Sequence, residues 1–154
     1  MKLHERPSSM RGGLLLVLAV VLTGCGGAPD DLDATPGPSA SSVAPGDCRN
    51  ESATGLPADA EVVPCTDPHD EEVFHAIPLT GRTFSQEAVN TATTECVGDP
   101  FTAFVGVSKA ESSLGVYPIT PTSATWDSPD GRTLYCVLFD PAGPVEGTLE
   151  GAAR

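Results

Sequence analysis

The chain has 154 residues, with 21 Asp and Glu against 8 Lys and Arg for a net charge of −13, 5 cysteines and 15 prolines. So few cations exclude nucleic acid as a partner, because phosphate binding depends on clustered Lys and Arg. The length predicts one domain with a modest core once the N-terminal segments described next are set aside.

Lys2, Arg6 and Arg11 form a basic start, and Leu14 to Leu22 (LLLVLAVVL) is an apolar run. Nine residues make about 14 Å of helix, too short for a hydrocarbon core that needs roughly 20 residues. The run therefore reads as a cleaved leader rather than a span. Leu22-Thr23-Gly24-Cys25 follows it directly and has the form of a bacterial lipobox, in which diacylglycerol is attached to the cysteine sulfur and the chain is cut just before it. We expect residues 1–24 to be a lipoprotein signal peptide and Cys25 to carry the lipid. That places the protein on the extracytoplasmic face of the cell membrane. The leader takes three cations and one acid with it, leaving a net charge of −15. Anionic headgroups repel such a domain, so its membrane partner is reached through the diacylglyceryl chains alone, and two chains anchor stably where one does not. From Cys25 to residue 45 the chain is rich in Gly, Pro, Ser, Ala and Asp. It cannot bury enough apolar surface to offset its ordering entropy and reads as a disordered tether, with a reach of about 25 Å.

Residues 46–151 are expected to fold. Glu72 to Leu79 predicts a strand, with Val73, His75, Ile77 and Leu79 on one face, Phe74 and Ala76 on the other, and Pro78 marking an edge or a bulge. Thr83 to Val97 predicts a helix capped by Thr83, with Gln86 completing a capping box and Val89, Ala92 and Cys96 on its buried stripe. Gly98 ends it. Asp99, as cap, and Pro100, at the first helical position, start a short helix through Val105. Leu114 to Ile119 is a strand, and Pro121 to Trp126 is a helical turn tucking the lone tryptophan against the core. After a turn at Asp130-Gly131, Arg132 to Asp140 is apolar on both faces and therefore a central strand. Val145 to Leu149 adds a last short strand. Strands around one main helix predict an α+β fold, a small antiparallel sheet with the helix packed on one face.

With Cys25 lipidated, Cys48, Cys65, Cys96 and Cys136 remain in an oxidising compartment, and four thiols there favour two disulfides. Three pairings are open. Cys48–Cys65 with Cys96–Cys136 is favoured because each bond then staples neighbouring elements. Loop closure makes them worth about 3 and about 4 kcal/mol.

The run Gly46-Asp47-Cys48, then Val63-Pro64-Cys65-Thr66-Asp67-Pro68-His69-Asp70-Glu71-Glu72-Val73, resembles the septum-formation domain family of actinobacterial envelope proteins. Cys96, the Pro121-Thr122 to Trp126 segment, and Arg132 with Cys136 follow in that family's order. The resemblance implies an extracytoplasmic domain associated with cell division, with a cell-envelope or division protein as partner, and implies no reaction, ligand or catalytic residue. Within the motif, Pro68, His69, Glu72 and Trp126 are candidates for structural or binding roles. Many relatives look membrane-spanning, whereas this chain carries a lipobox.

The densest chemical cluster is Asp67, His69, Asp70, Glu71, Glu72 and His75. His69 and His75 are six apart and share a face in a regular strand, and two imidazoles with a carboxylate suit zinc. The bland alternative has His69 bonding backbone or a carboxylate near Cys65 and Glu72 fixing the turn that enters the strand. There is no G-x-S-x-G elbow, C-x-x-C pair or glycine-rich phosphate loop. The expectation is a non-enzymatic binding or structural module with no catalytic residue, cofactor or resident metal. The alternative is a metal-binding or hydrolytic envelope protein centred on His69.

Overall fold

The computed structural model describes residues 43–154 apart from 55 and 56. The expected leader, the expected lipidation site Cys25 and all but the last three residues of the expected tether lie outside the described residues. Seven elements carry the fold: β1 (Cys48–Asn50), β2 (Glu61–Val63), β3 (Glu71–Pro78), α1 (Gln86–Thr93), α2 (Asp99–Val105), β4 (Gly115–Ile119) and β5 (Thr133–Phe139). The strands form one antiparallel sheet in the order β2-β1-β3-β5-β4. The two helices, joined by a 3₁₀ turn over Thr94–Val97, pack on one face, giving the expected α+β architecture. β5 lies between β3 and β4, as its apolar character on both faces demands.

Directly opposed residues share a face of a sheet. Cys48, Glu72, Leu138 and Val116 are opposed in turn across β1, β3, β5 and β4, on the helix side. Arg49, Glu71, Phe139 and Gly115 form the matching row on the far side. The register slips between Val73 and His75, leaving Phe74 as a bulge. An extra residue re-aims the side chain it carries, so Phe74 joins the helix-side core with Ile77. Its ring meets Phe101 edge-on at 6.1 Å and Phe104 at 5.6 Å. Strict alternation put Val73 with Ile77 and Phe74 opposite. The bulge reverses both assignments, and Val73 faces away, opposed to Val137. The irregularity sits at Phe74 rather than at Pro78. β1 has ended before Pro78, so β3 is paired only with β5 there and the missing N–H costs no ladder bond.

Helix starts differ from expectation by one or two residues. Ser85, not Thr83, caps α1, its hydroxyl accepting from the Ala88 N–H at 3.3 Å. No capping box forms, because Gln86 is the first helical residue and bonds Asn90 at 2.9 Å. Asp99 and Pro100 are the first two residues of α2, with Gly98 at the cap position. The buried stripe of Val89, Ala92 and Cys96 and the apolar face of Phe101 and Val105 are as expected. α2 ends at Gly106, whose φ of 93° closes the helix in the left-handed conformation.

Two elements are corrected outright. Val145 to Leu149 is not a strand: Val145 makes a single bridge with His69, and the rest of the segment is held by other bonds. The 121–126 segment is a series of turns rather than a helical turn, although it does bury Trp126. That ring stacks edge-on with Phe84 at 5.7 Å and lies under the Arg132 guanidinium, outside the main cluster. Arg132 closes the arrangement by donating to the carbonyls of Trp126 and Gly81.

The disulfides join Cys48 to Cys65 and Cys96 to Cys136, with Cα atoms 5.1 and 5.4 Å apart. The first ties β1 to the loop after β2, and the second pins the helical layer to the central strand.

Candidate functional site

Pro64 to Asp70 is a tight loop leading into β3, with the Asp67 N–H donating to the Pro64 carbonyl at 2.9 Å. Pro68 is exposed on it, while His69 is fully buried. The His69 backbone exchanges two bonds of 2.9 Å with Val145, and its ring Nδ1 lies 2.9 Å from the Asp67 carbonyl. A carbonyl only accepts, so Nδ1 carries a proton, and in the neutral ring Nε2 presents the lone pair. That Nε2 is buried without a hydrogen-bond partner.

Glu72 is 2 % exposed, and its carboxylate reaches across 77 residues of sequence. One oxygen accepts from the Leu149 N–H at 2.6 Å and the other from the Thr148 hydroxyl at 2.7 Å. The expected role of fixing the turn into β3 is therefore replaced by clamping the C-terminal segment. Gly147 N–H to the Cys65 carbonyl, Gly151 N–H to Phe104 and Ala153 N–H to Val105 complete that clamp. A segment lacking ladder partners must satisfy its amides elsewhere: Cys65, His69 and Glu72 of the motif supply acceptors, with Phe104 and Val105 of α2 for the last two.

The structure disperses most of the acidic cluster. Asp70 accepts from the Glu51 N–H, Glu71 points to the opposite sheet face, and His75 of β3 is opposed to Cys136 of β5. One grouping survives among the described residues: donor atoms of Cys48, His69 and Glu72 all lie within 4.8 Å of one another, and all three residues are buried. The Cys48 sulfur there is half of a disulfide.

A second polar centre, on the far side of the sheet, was not foreseen. Arg49 is 1 % exposed and donates Nε at 2.9 Å and Nη2 at 2.5 Å to one oxygen of Glu71. Nη2 also donates to the Pro57 carbonyl, and the Tyr117 hydroxyl donates to the other Glu71 oxygen. Burial, reinforced by the hydrogen bond to the Glu71 carboxylate, pushes the Tyr117 phenol well above its usual range. This network floors a cleft of about 360 Å³ lined by Glu51, Asp70, Glu71, Tyr117, Phe139 and Asp140. The Tyr117 and Phe139 rings stand 6.3 Å apart along it. The signal available in sequence was Arg49 itself, one of five cations beyond residue 24, set beside a disulfide cysteine.

No family model, curated protein or solved structure matches the chain. The septum-formation resemblance therefore rests on the motif residues alone, and those residues are the ones that build the disulfide, the buried histidine and the C-terminal clamp.

Proposed function

We propose that this is a lipid-anchored extracytoplasmic protein, a non-enzymatic binding or structural module of the cell envelope associated with septum formation. The lipobox at Cys25 and the motif resemblance support the location and the process. The observation that carries the binding reading is the cleft over Tyr117 and Phe139. Its aromatic walls stand on the hydrogen-bonded Arg49–Glu71–Tyr117 network, in which Arg49 and Glu71 are buried, and such fixed side chains lose little entropy when a partner docks. The carboxylates of Glu51 and Asp70 beside it suit a cationic segment of an envelope or division protein, and Asp140 already holds the Arg154 guanidinium at 3.0 Å.

The test is site-specific photocrosslinking in living cells. A crosslinker at position 51 should capture a consistent wall-synthesis or division protein, while one at exposed position 87 on α1 should not. Identical capture from both positions, or normal septa after depletion of the protein, overturns the reading. Cys25→Ala should release the chain from the membrane fraction, and retention there refutes the anchor.

A further inference from the structure

We propose that the Cys48–Cys65 disulfide closes a latent site for a divalent transition metal of the zinc class. On reduction, the Cys48 and Cys65 thiolates, His69 Nε2 and the Glu72 carboxylate become its ligands. The inference does not depend on the binding role of the cleft, which lies on the other face of the sheet.

Three features of the pocket fit a metal site better than a structural histidine. First, the donor atoms of Cys48, His69 and Glu72 lie within 4.8 Å of one another. Tetrahedral zinc with bonds of 2.0–2.3 Å holds its ligands roughly 3.3–3.8 Å apart, so a contraction of about 1 Å brings these three donors to zinc spacing, and Cys65, bonded to Cys48 in the oxidised protein, supplies the fourth from its loop on reduction. Second, His69 is fully buried, yet Nε2 has no partner, whereas buried polar atoms are nearly always bonded. Its other nitrogen donates to the Asp67 carbonyl, the outer contact that fixes the tautomer and orientation of metal-binding histidines. Third, Glu72 is held by Leu149 and Thr148 with one bond per oxygen, leaving a lone pair on each for a cation.

The two disulfides differ in access. Cys96 and Cys136 are 1 % and 0 % exposed, while Cys65 lies partly exposed on its loop and Cys48 is buried behind it. An external dithiol reaches only the Cys65 sulfur. Its thiolate attacks Cys65 Sγ, the bond to Cys48 breaks, and Cys48 leaves as a thiolate beside His69. The reductant's second thiolate then displaces Cys65, so the reductant ends as a disulfide and the protein as a dithiol. Binding of the dication by both sulfurs releases their two protons. Two thiolates, one carboxylate and a dication leave a net charge of −1, and Nε2 gains its missing partner. The ligand set also touches the C-terminal clamp, because Glu72 holds Leu149 and His69 bridges Val145. The site thus couples thiol redox state and metal supply to that segment.

The full chain is prepared with Cys25→Ser, so that the anchor thiol takes neither lipid nor metal. Mild dithiol reduction followed by alkylation and mass mapping should label Cys48 and Cys65 only. In a separate sample, reduced and freed of excess dithiol but not alkylated, zinc titration against a chromophoric chelator should give about one equivalent, against none in oxidised protein. Cobalt should show a thiolate-to-metal charge-transfer band. His69→Ala should weaken zinc binding at least about 100-fold, and Cys65→Ser should abolish the band's two-sulfur intensity. Equal zinc uptake by the oxidised protein, no uptake by reduced protein that keeps Trp126 buried, or unchanged affinity in His69→Ala each overturns the proposal. So does reduced protein that unfolds and is not refolded by zinc.

Discussion

Glu72→Ala isolates what the buried carboxylate does. Both of its oxygens accept from the C-terminal segment, at 2.6 Å from the Leu149 N–H and 2.7 Å from the Thr148 hydroxyl. A hydrogen bond to a charged group contributes about 1.5–3 kcal/mol, and a buried donor left unpaired costs a similar amount. The two donors fare differently. Leu149 is 2 % exposed, so its amide is stranded, whereas exposed Thr148 turns its hydroxyl to water. The expected loss is therefore about 2–4 kcal/mol, almost all of it from Leu149, or roughly 10–20 °C in Tm for a domain of this size. Glu72→Gln keeps an acceptor for Leu149 and should lose only about 1 kcal/mol. Urea unfolding read by the fluorescence of the single, buried Trp126 measures both. Hydrogen exchange separates a local from a global effect: the amides of Leu149, Gly151 and Ala153 should lose protection first. An alanine variant within about 0.5 kcal/mol of wild type, the range of an ordinary surface change, refutes the clamp. So does full protection of those three amides.

Arg49→Met should destabilise by about 3–5 kcal/mol, because it leaves the Glu71 carboxylate buried without its cation. Adding Glu71→Leu should recover much of that loss, and a double variant no more stable than the single one would refute the ion-pair account. At Gly115 a Cβ would fall within the Phe139 ring. Gly115→Ala should therefore cost about 1–3 kcal/mol by overpacking, and Phe139→Ala in the same chain should make the alanine tolerable. Tyr117 gives a pH test. Its folded pKa is raised, so the folded state holds this proton more tightly than the unfolded chain does. The corresponding stability is complete below about pH 10, the unfolded tyrosine value, and is lost as pH rises beyond it. Tyr117→Phe should flatten that alkaline limb in denaturation curves, and an unchanged limb would show that another group controls it.

Long apolar segments were legible because burial imposes periodicity. β5 announced its central place, and the Val89–Ala92–Cys96 stripe announced the face that the second disulfide pins. Three-residue strands carry no such signal. β1 and β2 escaped because their pairing is decided by partners far along the chain. The bulge at Phe74 was invisible for a related reason: an extra residue on one strand reverses alternation without changing composition. Ser85 displaced Thr83 as cap because Phe84 is drawn inward against the core, which sets where the helix begins. In the site, the motif marked His69 and Glu72, but the acceptor's role depended on Leu149, 77 residues away. The Arg49–Glu71–Tyr117 floor joins three elements with no local pattern between them.

The bond from Cys48 to Cys65 has a mechanical consequence. Tension on the chain ahead of Val43 enters the fold at Gly46, where the Gly46 N–H bonds the Val73 carbonyl and the Val73 N–H bonds the Asp47 carbonyl. Two residues after Gly46, at Cys48, it meets a covalent link. Peeling β1 from the sheet must therefore drag the Cys65 loop with it, and with that loop the bridge from His69 to Val145. A pull applied at one end is thus shared with the other end of the chain.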